Sequence, residues 1–294
     1  MYTIIGLGEV LWDIFEDGKV LGGAPANFAY HVHRLGHTGL PFSRVGTDEL
    51  GKELITSLDA VGLCTGFIQR DPHHPTGQVH VELDEEGVAD FTIIEEVAWD
   101  YMRADRPWTD AARGADAICF GTLCQRSRES REAIRTVLDA AADSVLVFDV
   151  NLRHRFYSRR IITDSLERCT VLKLNLGEVA ELREVLGLGG TEQELIRGLM
   201  EEYEIDLGCV TRGENGCSIY TPDAQADSVV PPIQVVDTVG SGDAFSAGLT
   251  VKYLDGSPPE SIARGANLLG AHVARCRGAM PEVPQQVVEQ FNSA

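Results

Sequence analysis

Short, unbroken apolar stretches recur along the chain, with segments of helical periodicity between them. These stretches are bounded by turn residues and occupy residues 3–10, 115–122, 144–151, 170–175 and 207–213. Such stretches are typical of strands that are buried on both faces of a parallel sheet. Helical segments include residues 128–142 and residues 190–204, the second opening with a Thr191–Glu194 capping box. Strand and helix in alternation predict one α/β layered domain over residues 1–294.

Two segments depart from this pattern. Residues 9–23 read as a hairpin around Asp17 and Gly18. Residues 76–95 alternate apolar and polar positions and turn at Glu86 and Gly87, which is typical of antiparallel strands with one wet face. We expect the two segments to form a small sheet, a lid, standing off the main domain. The alternative is that they extend the edge of the main sheet.

Composition and charge narrow the function classes. The formal net charge of −20 argues against a nucleic-acid or anionic-membrane partner, since both require a basic surface. No apolar run reaches the ~18–20 residues of a membrane span, and MYTIIGLGEV lacks the basic start of a signal peptide, so we expect a cytoplasmic protein. The seven cysteines are scattered without a C-x-x-C pair and are expected to be reduced thiols. Only four of the 25 basic residues are lysines, which fits either a salty habitat or a GC-rich genome.

The stretch DTVGSGD, residues 237–243, carries the most specific chemistry. Gly240 and Gly242 would let the backbone approach a phosphate at a helix N-terminus, where amide groups and the helix dipole attract anions. A carboxylate aimed into such a site repels a resting phosphate unless it takes a proton. Asp243 is therefore a candidate general base, although a helix N-cap explains it equally well from the residues alone.

A second candidate site lies in LGGAPANFAYHVHRLG, residues 21–36. Gly23 ends the first hairpin and Pro25 fits the first position of a helix, which places Asn27 on the first turn. The Asn27 amide can donate and accept, as a sugar diol requires, and Asp13 could accept from a second hydroxyl. Taken singly, a capping role for Asn27 and a solvated Asp13 are the better explanations.

Together, these segments resemble the ribokinase-like (PfkB) carbohydrate kinases over nearly the whole chain. The resemblance rests on GLGEVLWD, GGAPANFA, SRVGTDELGKEL, FDVNLR, NLGE, TRGENG and DTVGSGDAFSAG, which occur in the order and spacing of that family. The last block is the most specific, although it reads Val-Gly-Ser-Gly where Thr-Gly-Ala-Gly is commoner. The fold implied is the ribokinase-like layered α/β/α domain with a mostly parallel central sheet and a small β-sheet lid.

The resemblance implies ATP-dependent phosphorylation of a sugar hydroxyl and assigns roles by position. The implied catalytic residues are Asp243 as base, with Gly240, Ser241 and Gly242 as the anion site. The implied sugar-binding residues are Asp13, Gly23, Asn27, Asn151, Arg153 and an aromatic over the sugar, Trp99 or Tyr101. The implied nucleotide-binding residues are Asn175, Glu178, Thr211, Arg212, Gly213 and Asn267. Glu178 would support Mg²⁺ through water, and Asp237 with the loop near Gly278 would bind a monovalent cation such as K⁺. The competing interpretations are a dipole-complementing helix glutamate for Glu178 and a structural ion pair for Arg153.

The expected substrate is fructose, because GGAPAN resembles fructokinases, whereas ribokinases usually carry lysine at the position of Pro25. The alternatives are a kinase for 2-keto-3-deoxygluconate, ribose or a nucleoside, and a non-catalytic sugar- or nucleotide-binding regulator. A dinucleotide-dependent oxidoreductase is weaker, since GLGE lacks the G-x-G-x-x-G spacing. A homodimer through the lid is a further expectation, with Val79, Val81 or Leu83 supplying the face. Closure over the sugar explains an apolar lid face equally well.

Overall fold

The architecture comes from a computed structural model of the chain, which describes residues 1–16, 18–83, 89–230 and 232–294. Within these ranges the strands form one sheet of nine and a separate sheet of four. The predicted α/β fold with a smaller second sheet is therefore confirmed. No helix in the described ranges is both long and apolar enough to cross a membrane.

The large sheet has the order β13-β12-β11-β10-β9-β8-β1-β4-β5. Its strands are β1 (Thr3–Leu7), β4 (Thr38–Gly46), β5 (Ile68–Asp71), β8 (Ala117–Phe120), β9 (Val145–Asp149), β10 (Val171–Asn175), β11 (Leu207–Thr211), β12 (Cys217–Tyr220) and β13 (Gln225–Ser228). Neighbouring strands from β5 to β11 are parallel, and β12 and β13 add an antiparallel edge. The carboxyl ends of the central parallel strands therefore meet along one edge of the sheet, where ligands bind in open α/β folds.

Helices cover both faces of the large sheet. They are α1 (Ala24–Arg34), α2 (Glu49–Ala60), α3 (Arg106–Arg113), α4 (Arg128–Ala140), α5 (Arg159–Leu166), α6 (Leu176–Leu186), α7 (Glu192–Glu202), α8 (Ser241–Leu254), α9 (Pro259–Ala274) and α10 (Gln285–Ser293). Side chains of β1 alternate between the layers: Ile5 packs with the core beneath α4 and α6, and Ile4 packs with the core beneath α1, α8 and α9. Burial on both faces is why these strands lack polar alternation.

The small sheet consists of β2 (Leu11–Phe15), β3 (Gly18–Gly22), β6 (Gly77–Leu83) and β7 (Ala89–Ile93), in the order β3-β2-β6-β7. It is a separate sheet rather than an extension of the large one. The predicted turns at Asp17 and at Glu86–Gly87 include residues outside the described ranges. The Trp12 indole donates to the Leu50 carbonyl at 3.0 Å, which ties the small sheet to α2.

One expectation about this sheet is wrong. Val79 is buried in the apolar core of the chain itself, together with Leu11 and Ile93, so it cannot offer an exposed face to a partner. The side chains of Val81 and Leu83 lie outside the described part of the chain. A dimer through the small sheet stays a prediction.

Candidate active site

Two glycines flank the N-terminus of α8, and they differ in whether the structure requires glycine at that position. Gly240 caps the helix with φ 76°, and a Cβ there would lie 2.5 Å from the Ala279 Cα. Gly240 is therefore required by both its backbone conformation and its neighbour. Gly242 has no left-handed φ, and an added Cβ would meet only the Lys173 ammonium nitrogen, at 3.5 Å. The fold itself therefore does not require glycine at position 242. Because the side chain is absent, the space next to the Gly242 Cα is open.

Asp243 stands at the third residue of α8, so the helix-cap alternative is wrong for it. Its Oδ2 accepts from the Asn27 amide nitrogen at 2.8 Å, although 216 residues separate the two. The first amides of α8 have few acceptors: within the described residues, those of Gly242 and Asp243 bond no backbone carbonyl. A carboxylate thus lies beside two free N–H groups at a helix N-terminus, where anions bind.

Burial raises the pKa of Asp243 to about 6, although the Asn27 hydrogen bond acts in the opposite direction. Asp149 raises this pKa further, and Lys173 and Arg153 lower it. A carboxyl with this pKa is a base near neutral pH and a better proton acceptor than an exposed aspartate.

Asn27 is 4% exposed and has an unused acceptor. Its Nδ2 bonds Asp243, but its buried Oδ1 has no partner among the described residues. Buried polar atoms are nearly always paired, so an unpaired one beside a candidate base marks the place of a ligand group. Gly23 holds this helix start in place: it has φ 107°, and a Cβ there would lie 2.5 Å from the Glu9 carbonyl oxygen.

Asp13 projects from β2 of the small sheet. A Cβ at Gly22 would lie 2.4 Å from its Oδ2, so the glycine makes room for this carboxylate. Burial raises the pKa of Asp13 to about 6, and Arg153 acts against that rise. Asn27 donates to Asp243, whereas the Asp13 side chain has no hydrogen-bond partner in the described ranges.

The loop after β9 contributes Asn151 and Arg153. Asn151 has φ 43°, a left-handed conformation that asparagine tolerates better than most residues. Arg153 is exposed and, within the described residues, forms no salt bridge, so the ion-pair interpretation gains no support. Burial raises the pKa of Glu9, Asp13 and Asp243, and the Arg153 charge acts against that rise at each of them.

Trp99 was expected over the sugar, and the structure contradicts this. Trp99 is 1% exposed, and the Arg126 guanidinium covers its ring at 3.9 Å from the centroid. The alternative, Tyr101, stacks on His74 at 3.5 Å between ring centroids. The short helix Ala98–Tyr101 packs inward because the Trp99 carbonyl accepts from the Ser130 hydroxyl at 2.6 Å. Sequence position alone could not show that this turn faces the core.

The Asn175–Glu178 pair forms a capping box at the start of α6. The Asn175 Oδ1 accepts from the Glu178 amide at 3.0 Å, and the Glu178 Oε2 accepts from the Asn175 amide at 2.8 Å. The Glu178 Oε1 also accepts from the Leu152 amide at 3.0 Å. Burial raises the pKa of Glu178, while Lys173 lowers it. The contacts of Glu178 are therefore those of a glutamate in the first turn of a helix. The remaining lone pairs of its carboxylate suit a metal ion held through water.

Most of the other predicted nucleotide-binding residues also use their side chains in contacts within the protein. Arg212 pairs with Glu192. The Thr211 hydroxyl donates to the Leu174 carbonyl at 3.3 Å, and the Asn267 amide donates to the Ser228 carbonyl at 3.1 Å. Gly213 is exposed with φ 55°. Any nucleotide contact made here thus uses mainly the main chain.

The segment before α8 is tied to the loop at Gly278. The Asp237 Oδ1 accepts from the Val239 amide at 3.0 Å, and its Oδ2 accepts from the Gly278 amide at 2.9 Å. The sequence placed Asp237 and Gly278 together, and the structure joins them by a hydrogen bond. Ser241 turns its hydroxyl away, donating to the Gly270 carbonyl at 3.0 Å. The Ser241 amide donates to the Thr238 carbonyl at 3.2 Å, so both donors of Ser241 are used within the protein and the free amides of the anion site are those of Gly242 and Asp243.

A buried charged cluster beneath α8 was not identified from the sequence. The Lys173 ammonium bonds both Asp149 carboxylate oxygens, at 2.9 and 3.0 Å, and the Ser246 hydroxyl donates to Asp149 at 2.7 Å. Glu9 was also missed; it is buried and accepts from the Cys124 thiol at 3.2 Å. The available signal was a lysine inside the apolar strand TVLKLN.

Comparisons with known proteins place the chain in a family. Residues 6–286 match the pfkB family of carbohydrate kinases. The fructokinase of Vibrio alginolyticus is 30% identical over 301 residues, covering 95% of each chain. A sugar kinase of Pyrococcus horikoshii, solved in complex with ATP, has a TM-score of 0.84 and 27% identity, covering 98% of this chain and 99% of that one. The 2-dehydro-3-deoxygluconokinase of Thermotoga maritima has a TM-score of 0.87 at 18% identity, with full coverage of both.

The chain belongs to the pfkB family of carbohydrate kinases. It is a sugar kinase, and the predicted enzyme class is confirmed.

Proposed function

We propose that this protein transfers the γ-phosphate of ATP to a hydroxyl of fructose, with Asp243 as the general base. The observation that carries the proposal is the Asn27–Asp243 pair at the start of α8. It combines a carboxyl with a pKa raised to about 6, a buried amide oxygen without a partner, and two free backbone N–H groups.

The mechanism follows from this geometry. A sugar hydroxyl donates its proton to Asp243 while its oxygen attacks the γ-phosphorus. The new O–P bond forms as the bond to the β-phosphate oxygen breaks, and ADP leaves with that electron pair. The Gly242 and Asp243 amides and the α8 dipole stabilise the negative charge on the transferring group. Asn27 holds the base with its Nδ2 and accepts a second sugar hydroxyl with its Oδ1.

We assign the nucleotide and its cations to residues on the other side of Asp243 from the sugar-binding residues. Backbone at Thr211–Gly213 and the buried face at Asn267 would line the nucleoside. Mg²⁺ would neutralise the phosphates when bound, and the Glu178 carboxylate would hold its water ligands. A K⁺ ion near Asp237 would share an oxygen whose lone pairs are partly used by the Val239 and Gly278 amides.

A neutral sugar fits the acceptor side better than an acidic one. Glu9 and Asp243 line one small cavity together with Asn151, and the Arg153 charge acts on both of them and on Asp13. A substrate carboxylate would meet more like charge than opposite charge. The fructokinase name of the Vibrio alginolyticus relative favours fructose. The second candidate is 2-keto-3-deoxygluconate, because Arg153 has no ion-pair partner in the described residues and could bind a carboxylate.

The small sheet is proposed to close over the sugar. Val20 of β3 already approaches the Gly278 loop, with its Cγ1 3.9 Å from where a Cβ of Gly278 would be. Exposed Val20 and Phe91 are apolar side chains available for such closure. Closure would exclude water, which otherwise competes with the sugar for the phosphoryl group.

The test is ADP release measured over a panel of fructose, ribose, 2-keto-3-deoxygluconate and nucleosides, with Mg·ATP. We expect the highest kcat/KM with fructose. Asp243→Asn should lower kcat by about 10²–10⁴-fold while fructose still binds, because a general base contributes that much to the rate. Retained turnover in Asp243→Asn would reject the base assignment, and a higher kcat/KM with the sugar acid would reject fructose.

A further inference from the structure

The lysines of this chain are few, and their placement is uneven. Lys19 and Lys52 are on the surface, but Lys173 and Lys252 are 6% and 5% exposed. A buried ammonium is costly unless it is paired. The Lys252 nitrogen lies over the Phe291 ring and bonds a carbonyl at the C-terminus, at 3.4 Å. Lys173 instead pairs with a buried carboxylate beneath the N-terminus of α8.

Lys173 is held in one orientation. Asp149 accepts from its ammonium with both oxygens and is itself fixed by the Ser246 hydroxyl. The Ser246 hydroxyl also lies 2.9 Å from the Gly242 carbonyl oxygen, and its single hydrogen can bond only one of these two acceptors at a time. Both contacts place the cluster against the first turn of α8. In the part of the chain that the structure describes, the Lys173 ammonium bonds no group other than Asp149. An ammonium has three donors, so capacity remains for a ligand.

The position of that ammonium coincides with the open space above Gly242. Its nitrogen would be 3.5 Å from a Cβ at Gly242, the residue where the fold does not itself require glycine. Its charge lowers the pKa of both Asp243 and Glu178, so it is near both the candidate base and the candidate metal-supporting carboxylate. A guanidinium is larger and planar and would fill that space, whereas an ammonium is compact.

We propose that Lys173 donates a hydrogen bond to the transferring phosphoryl group, and that Asp149 is the positioning residue that aims it. This rests on the proposed function, since it assigns the phosphoryl group to the space above Gly242. Asp149 draws the ammonium toward the sheet and prevents it from pairing with Asp243, which would remove the base. The pair thus supplies a fixed cation at the anion site while the buried charge stays neutral overall.

The test separates catalysis from folding with a charge-balanced variant. Lys173→Met alone leaves Asp149 unpaired, so the variant to measure is Lys173→Met with Asp149→Asn, in which neither member of the pair carries a charge. We expect kcat to fall about 10²–10³-fold with the sugar KM changed little, as for removal of one donor to the reacting group. Lys252→Met is the matched control, a buried lysine lost from the far end of α8, and should keep kcat within about twofold. If the double variant kept kcat within about threefold of the unchanged protein, the pair would be structural and the proposal wrong.

A second measurement does not depend on the sugar. Calorimetric titration with ATP and with ADP, each with Mg²⁺, should show that the double variant loses about tenfold more affinity for ATP than for ADP, since a charged hydrogen bond to the γ-phosphate is lost. Equal weakening of both nucleotides would overturn the proposal. If the unchanged protein phosphorylated no sugar in the panel, the proposed function would fail, yet this ratio would still decide the role of Lys173.

Discussion

On the proposed acceptor side of the site, some polar groups have no partner among the described residues, whereas the polar side chains on the proposed nucleotide side are hydrogen-bonded within the protein. Asn27 has a buried oxygen that bonds nothing in the described residues, and Arg153 forms no salt bridge there. Across the sheet edge, Glu178 accepts two backbone N–H groups and Asn267 bonds the Ser228 carbonyl.

The difference indicates two modes of recognition. A sugar presents hydroxyls in a specific arrangement, which only side chains with free donors and acceptors can match. A nucleotide presents a planar base and a chain of charge, which backbone amides, a helix dipole and cations can hold without specific side chains. The acceptor side should therefore be sensitive to single side-chain changes, and the nucleotide side should tolerate them.

The largest effect is expected at Asn27. Asn27→Ala removes the proposed sugar acceptor and the hydrogen bond that lowers the pKa of Asp243, so the proposed base loses both its position and part of its pKa control. We expect kcat/KM for the sugar to fall about 10²-fold, with KM for ATP within about threefold. Steady-state kinetics with each substrate varied in turn measures this. An equal loss for both substrates would contradict the division into two sides.

The pH dependence should come next in size. Asp243 must be deprotonated to act as a base, and burial raises its pKa to about 6, so activity should be lost as the pH falls through 6. Titration of Asp243 alone should lower the activity about tenfold at pH 5 relative to the plateau. Asp13, also at about 6, should steepen it, and Asp13→Asn should restore a slope of one. A plateau extending down to pH 5 would show that neither carboxyl limits the rate.

The smallest effect is expected at Asn267, the nucleotide-side counterpart of Asn27. Both asparagines are buried, at 6% and 4% exposure, and both donate a hydrogen bond within the chain, but of the two only Asn27 keeps a buried oxygen without a partner among the described residues. Asn267→Ala should lower the free energy of unfolding by about 1–3 kcal/mol, the penalty for an unpaired buried group, and change KM for ATP by less than about threefold. Thermal unfolding and ATP kinetics test this together. A large rise in KM for ATP alone would show that Asn267 reads the nucleotide directly.

The layered architecture was predictable because its causes are local. Strands such as Val145–Asp149 are apolar on both faces, and the Thr191 cap announces α7 with no reference to distant residues. The separate small sheet followed from polar alternation in the same way. The prediction that Trp99 lies over the sugar was wrong, because the sequence pattern does not say whether a short helical turn faces a ligand or the core.

The amino-acid sequence by itself determined the fold class, the family and most of the candidate site residues, since motifs such as GGAPAN and DTVGSGD need only order and spacing to be recognised. Which of these residues touch was decided by the tertiary structure. Asn27 meets Asp243 from 216 positions away, and Lys173 meets Asp149 across neighbouring strands. Burial then raises the pKa of Asp243, and desolvation depends on what packs around a group, which no local pattern encodes.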